Sequence, residues 1–254
     1  MAAKTVDAIL RLRDELPRWE MTLIELEKDG IRVVSEADAE YPRAFRAAGR
    51  PPPILFVHGE LKEDDQRGLA IVGTTRPTEQ GRETAVESAK RAARRGRTVI
   101  SGFARGIDSA AHLGAISAGG RTVAFPATGL RKVYPTMEFR HPGVIARSGA
   151  LVSPFPPCQD WNVGGAMRRN RLIAAMSSGV FVVESVRDGG AVYTATVAQS
   201  LGKPVFALSK KRLGKETDGN RQLLESGATP VRCFADVESI IAGMSGGATN
   251  VRQP

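Results

Sequence analysis

LAIVGTTRPTEQG (69–81), TVISGFARGIDSAAHLGAISAGG (98–120) and TVAFPATGL (122–130) decide the fold. Three short runs rich in β-branched residues, Ala70–Gly73, Thr98–Gly102 and Thr122–Pro126, each end in a turn of Gly, Pro, Ser or Thr. A helix-length segment follows at least the first two. Strands alternating with helical segments of this length imply right-handed βαβ units, an α/β class and a mostly parallel sheet with helices on both faces. In such a sheet the strand carboxyl ends carry the ligand, because small residues let the backbone approach it and helix N-termini offer unpaired N–H groups. The expected ligand group is an anion, foremost phosphate.

Working outward, the 254 residues are 42% apolar and 25% charged, which fits one large globular domain with appendages. The formal net charge is +9, a balance that suits a polyanionic partner such as nucleic acid or an acidic membrane, and equally a solvated arginine-rich surface. Cys158 and Cys233 lie far apart without CxxC spacing, so neither a disulfide framework nor a zinc site is indicated and a reducing cytoplasm is expected. No apolar run approaches the roughly 18 residues that cross a bilayer. No membrane, metal or cofactor role is expected.

Residues 1–38 read as a small N-terminal helical segment, 39–244 as the main domain and 245–254 as a disordered tail. Lys4–Leu16 and Met21–Lys28 have the spacing of amphipathic helices. Within the domain, Gly73, Thr74 and Arg76 lead into a helix beginning near Gly81, and the second run ends in SGFARG. The glycine spacing is not GxGxxG and no acidic residue stands ready for a ribose, which disfavours a dinucleotide. Arg76, Arg105 and the Gly102/Gly106 turn suit phosphate oxygens instead, arginine through its forked donors and glycine by exposing backbone N–H groups, unless the glycines serve only as tight turns. Asp108 is expected to cap a helix over 109–118, with His112 one turn on; both are taken as architecture at the site. His58, ending an apolar run, is likewise structural. The prolines of ALVSPFPP (150–157) end a strand and point to a sheet edge or an exit loop.

AMRRNRLIAAMSS (166–178) reads as a helix opened by 161–165, with Arg168, Arg169, Asn170 and Arg171 within one turn. Three guanidiniums crowded near a helix start either share an anion, since like charges repel at that separation, or form a solvated basic face paired with acidic neighbours. Thr194, at a helix start beside Gly189-Gly190, either touches a phosphate or caps. Lys210 stands at the exit of the strand in KPVFALSKK (203–211).

In this order, AIVGTTRPTEQG, VISGFARGIDSAAHLGAI, RTVAFPATGL, RRNRLIAAMS, VVES with TATVAQSLGKPVFAL, and GNRQLLESGA resemble the DNA-processing protein A (DprA/Smf) family over roughly residues 40–231. The resemblance implies an extended Rossmann-like fold and sequence-independent binding of single-stranded DNA without catalysis. It further implies self-association as a homodimer and loading of a RecA-type recombinase during natural transformation. Gly102, Arg105, Gly106, Asp108, His112, Arg169, Asn170 and Arg171 match that family's pattern directly. The chain departs from it at Thr75, where the family carries a phosphate-binding arginine, and at Ala166, where it carries an aromatic residue. Ser153-Pro154 and Ser209-Lys210 stand for its Ser-Glu and Pro-Gly. Since stacking on an aromatic is worth about 1–3 kcal/mol per base, Ala166 predicts weaker single-strand binding or a different ligand.

Two alternatives belong to other classes. A Rossmann-like nucleoside monophosphate hydrolase of the cytokinin-activating (LOG) type would need a glutamate after Thr194, and the sequence from Glu184 to Ala198 supplies none. A non-catalytic sensor of a small nucleotide would keep the phosphate site and discard the polymer.

Overall fold

A computed structural model describes residues 16–49, 51–133, 142–209 and 217–244. The segment Lys4–Leu16, Lys210 and the tail 245–254 therefore lie almost wholly outside the described residues. The chain runs α1 (Leu16–Lys28), β1 (Ile31–Ser35), α2 (Arg43–Ala47), β2 (Ile54–Gly59), β3 (Leu69–Val72), α3 (Glu79–Arg94), β4 (Val99–Ser101), α4 (Ile107–Ser117) and β5 (Thr122–Ala124). It continues through α5 (Gly143–Ser148), β6 (Gly149–Ser153), α6 (Val163–Met176), β7 (Gly179–Val182), α7 (Gly190–Ser200), β8 (Val205–Leu208), α8 (Asp218–Glu225), β9 (Thr229–Val231) and α9 (Phe234–Gly243).

These strands form one sheet in the order β1-β2-β6-β5-β4-β3-β7-β8-β9. From β6 to β9 every neighbouring pair is parallel, while β2 pairs antiparallel with both β1 and β6. The α/β class and the mostly parallel sheet expected from the sequence are present. Of the two readings of the proline-terminated run after Ala150, the exit loop holds and the sheet edge does not: β6 is interior, held between β2 and β5, and its prolines fall after Ser153, where they remove no ladder donor. β1 joins the sheet through the register Ile31↔His58 to Ser35↔Ile54, so the sheet takes in residues that the sequence reading placed in the N-terminal segment.

The strand interior explains the near-continuous apolar runs. Alternate residues of one strand point to opposite faces. In β3, Leu69 and Ile71 pack with Ala85 and Ala89 of α3 and Ile107 and Ala111 of α4, whereas Ala70 and Val72 pack with Ile173 of α6 and Ala195 of α7. Covered on both faces, such a strand has no polar side to show. Each fully buried side chain of this kind is worth about 1.5–3 kcal/mol.

At the amino ends of the strands a buried ion pair fixes the frame. Asp65 is fully buried and accepts two bonds from Arg121, at 2.7 Å from Nε and 2.9 Å from Nη2. It also accepts from Thr98 Oγ1 and from Lys62 N, each at 2.8 Å. A single carboxylate thus ties the turn before β3 to the starts of β4 and β5.

Candidate nucleic-acid interface

The sheet order reverses at β3 and β7, which are neighbours although three strands and four helices separate them in sequence. Ligands of open parallel sheets bind in the crevice outside the carboxyl ends at such a point. Here the crevice is a cavity of about 290 Å³ lined by Gly73, Thr74 and Thr75 after β3, Ser185 and Val186 after β7, and Asn170 and Thr194 from α6 and α7. Its floor is tied together by backbone bonds: Thr74 N donates to Glu184 O at 2.7 Å, and Ile107 N to Thr74 O at 3.2 Å. Gly106 adopts φ 79°, and a Cβ there would lie 2.5 Å from Thr74 O, so only glycine lets the turn after β4 come this close. Phe103 in the same turn has φ 58°, unusual for an aromatic residue and held by its buried ring.

A second cavity of about 500 Å³ adjoins the first, between Gly102–Arg105, Pro126–Thr128 and Trp161. Arg169 lies under both cavities and is only 7% exposed. Its Nη1 donates to Phe125 O at 2.6 Å and to Gly102 O. A Cβ on Gly102 would strike that nitrogen and approach Asp108 Oδ2 to 2.5 Å. Asp108 does not cap its own helix: it lies inside α4, and its carboxylate turns back to accept from Gly102 N at 3.2 Å and Ala104 N at 3.4 Å. Burial pushes the Asp108 carboxyl up, opposed by the Arg169 charge, and burial likewise pulls the Arg169 guanidinium down.

His112 is fully buried, with Nδ1 2.6 Å from Thr122 Oγ1. The Thr122 hydroxyl donates to Val99 O at 2.8 Å, so Nδ1 is the protonated ring nitrogen and donates to Thr122. Burial, reinforced by Arg169, drives the imidazole down to about 3.

The arginines of the RRNR segment part company. α6 begins at Val163, where Asn162 accepts from Gly165 N at 2.7 Å, and not at Ala166. The arginines therefore sit from the second turn onward, away from the positive end of the helix dipole. Arg169 and Asn170 point to the switch cavity, and Asn170 Nδ2 reaches Gly190 O at 3.1 Å. Arg168 and Arg171 are exposed on the outer face and border a separate groove of about 500 Å³ with Phe45, Pro52 and Leu201. Arg171 Nε donates to the Tyr193 hydroxyl at 2.7 Å. Thr194, 1% exposed, donates to Gly190 O at 2.9 Å and so caps nothing. Arg76 and Arg105 are exposed at the rim, and Lys210 lies outside the described residues.

Several residues that build the site were given no role by the sequence, although Glu184 and Asn220 fall within motifs quoted from it. Glu184, fully buried, accepts from Thr78 N at 2.9 Å and Thr78 Oγ1 at 2.7 Å, locking the start of α3 to the end of β7. Asn220 accepts from Ser185 N at 2.8 Å and donates to Val182 O, Val183 O and Leu208 O at 3.0–3.1 Å, clamping β7 to β8. Trp161 reads in the sequence as part of a helix start, and a tryptophan set between Asp160 and Asn162 in a polar loop is the sign that could have found it.

Among the described residues no group of three or more His, Cys, Asp or Glu is placed to hold a metal ion, and no helix is long and apolar enough to cross a membrane. The fold and the switch-point cavity define an extended Rossmann-like α/β protein. Residues 32–242 match the family model described as DNA recombination-mediator protein A. The chain belongs to that family. It is 30% identical over 240 residues to the DNA processing protein DprA of Bacillus subtilis, covering 93% of this chain and 79% of that one. It is 31% identical over 229 residues to Protein Smf of Synechocystis, covering 89% of this chain and only 57% of that relative. The structure of DNA processing protein A from Helicobacter pylori, described for its single-stranded DNA binding mode, superposes with a TM-score of 0.74 at 28% identity, covering 85% of this chain and 95% of that one.

Proposed function

We propose that the rim built by Gly73–Arg76 and Gly102–Gly106, extended by Arg168 and Arg171 along α6, binds the phosphates of single-stranded DNA regardless of sequence and without a catalytic step. Arg169, Asn170 and Thr194 hold the rim in shape from beneath. The observation that carries the reading is the placement of exposed Arg76 and Arg105 on tight, glycine-bearing turns at the carboxyl ends of β3 and β4, beside the switch-point cavity. Family membership and the Helicobacter pylori relative's single-strand binding support it. On the same grounds the chain acts as a cytoplasmic homodimer that delivers the strand to a RecA-type recombinase.

Salt-titrated binding of oligo-dT, duplex DNA and free nucleotides tests the reading. A polymer held by phosphate contacts loses affinity with a log–log slope of about −0.7 per contact for single strands. Replacing both Arg168 and Arg171 by Ala is expected to lower the slope for a long oligo-dT by about 1.4 at most, the value for two lost contacts. The switch cavity's volume of about 290 Å³ favours a small-nucleotide sensor as second reading. Salt-insensitive binding of a mononucleotide without oligo-dT binding would establish that one instead.

A further inference from the structure

Tryptophan is the largest apolar side chain, and a domain normally buries most of it. Trp161 is 58% exposed. Its backbone is nevertheless fixed on both sides. Gln159 O accepts from Gly129 N and Pro157 O from Arg131 N, each at 2.9 Å, and Asn162 caps α6 immediately after. The ring is therefore presented on a rigid mount at no benefit to the core.

It also stands where the two cavities meet, lining both. The larger one has apolar walls from Phe103, Pro126, Ala127 and Val133, with exposed Arg105 at the same concavity. Apolar walls, an open indole face and a guanidinium together match a nucleobase with its phosphate, because every base has a π-face and stacking tolerates any sequence.

From this juxtaposition we propose that Trp161 is the stacking platform for a base of the bound strand, seated over the cavity between Gly102–Arg105 and Pro126–Thr128. This rests on the single-strand reading above. Trp19 is the other tryptophan of the chain, so in a Trp19→Phe background the fluorescence belongs to Trp161 alone. Oligo-dT is expected to quench it. Trp161→Ala is expected to weaken oligo-dT binding by about 5- to 150-fold, the span of one base–aromatic stack, and Trp161→Phe to recover most of the loss. The salt slope stays unchanged because no charge is removed, and the melting temperature stays unchanged because the ring is exposed.

If the unmodified protein binds oligo-dT with a steep salt slope while Trp161→Ala binds equally well or the quench is absent, the platform is refuted and the phosphate site stands. A change of oligomeric mass in Trp161→Ala with binding intact refutes it too, assigning the ring to a contact between copies. Failure of the unmodified protein to bind oligo-dT refutes the single-strand reading and the platform together.

Discussion

Replacing Arg169 by Met separates a positioning role from a phosphate contact. The methionine keeps much of the volume and removes the guanidinium. Two carbonyl oxygens, Gly102 O and Phe125 O, lose their donor, and the buried Asp108 carboxylate loses the positive charge that offsets its desolvation. An unsatisfied buried acceptor costs about 1–3 kcal/mol, two are created here, and the loss of a nearby positive charge from a buried carboxylate adds to them. These terms share the same atoms and add only in part, so the expected loss is about 3–5 kcal/mol. For a domain of this size that corresponds to a melting temperature lower by about 10 °C. The deficit has a pH signature. Burial already raises the Asp108 carboxyl, and without Arg169 it rises further, above its unfolded value of about 3.9. A raised folded-state carboxyl means that the folded state binds the proton more tightly, so the variant's stability declines as pH climbs through that raised value. Urea unfolding at pH 5 and pH 7.5 should show a smaller deficit at pH 5. Oligo-dT binding, measured at 10 °C where the variant remains folded, should keep the parental salt slope. A melting temperature within about 2 °C of the parent together with a reduced slope would refute the buried role and return Arg169 to the phosphate path.

Three further outcomes follow from single buried groups. Asp65→Asn leaves Arg121 without its bidentate partner and should cost about 3–5 kcal/mol in urea unfolding while leaving DNA affinity intact, because the pair lies at the amino ends of the strands, opposite the site. A loss under about 1 kcal/mol would place the pair with ordinary surface bridges. Asn220→Ala removes a side chain with an acceptor and donors all engaged between β7 and β8; a loss of at least about 2 kcal/mol is expected, with the segment 185–190 gaining hydrogen exchange ahead of β3. His112 is neutral when folded and titrates near 6.5 when unfolded, so the unfolded state gains the proton first as pH falls. Its stabilising effect is full above pH 6.5 and declines by about 1.4 kcal/mol per pH unit below it, down to its folded value of about 3. His112→Gln should remove that component from the difference between pH 7 and pH 5, and an unchanged difference would contradict the burial assigned to the ring.

How much of this was legible in the sequence turns on which physical rule each feature obeys. Runs such as LAIV and GVFV announce buried parallel strands by themselves, since burial on both faces leaves no polar alternation to confuse them. The interior position of β6 was half legible: prolines that end a strand fit a sheet edge and an exit loop equally, and only the pairing of Phe56 with Ser153 and of Ala124 with Leu151 settles for the loop. Asn220 and Glu184 were opaque for another reason: their partners lie 12 to 106 residues away, and no local pattern marks a side chain that closes a distant ladder.

In the RRNR segment the decisive information lies in the helix period. Successive helical residues turn by about 100°, so four adjacent polar residues cannot share one face, whereas positions three apart do. Applied to 168–171, that rule pairs Arg168 with Arg171 and sets Arg169 and Asn170 apart from them, as the two separate cavities bear out. Sequence adjacency is not spatial convergence, and one anion cannot satisfy guanidiniums that face different surfaces. The geometry gives the neighbouring arginines different physical tasks. Arg169 is desolvated and bonded to the Gly102 and Phe125 carbonyls, so its charge is shielded from salt and works on the shape of the Gly102 turn. Arg168 and Arg171 are solvated, so their charges are felt at a distance and answer to ionic strength. A salt titration therefore separates what the sequence placed side by side.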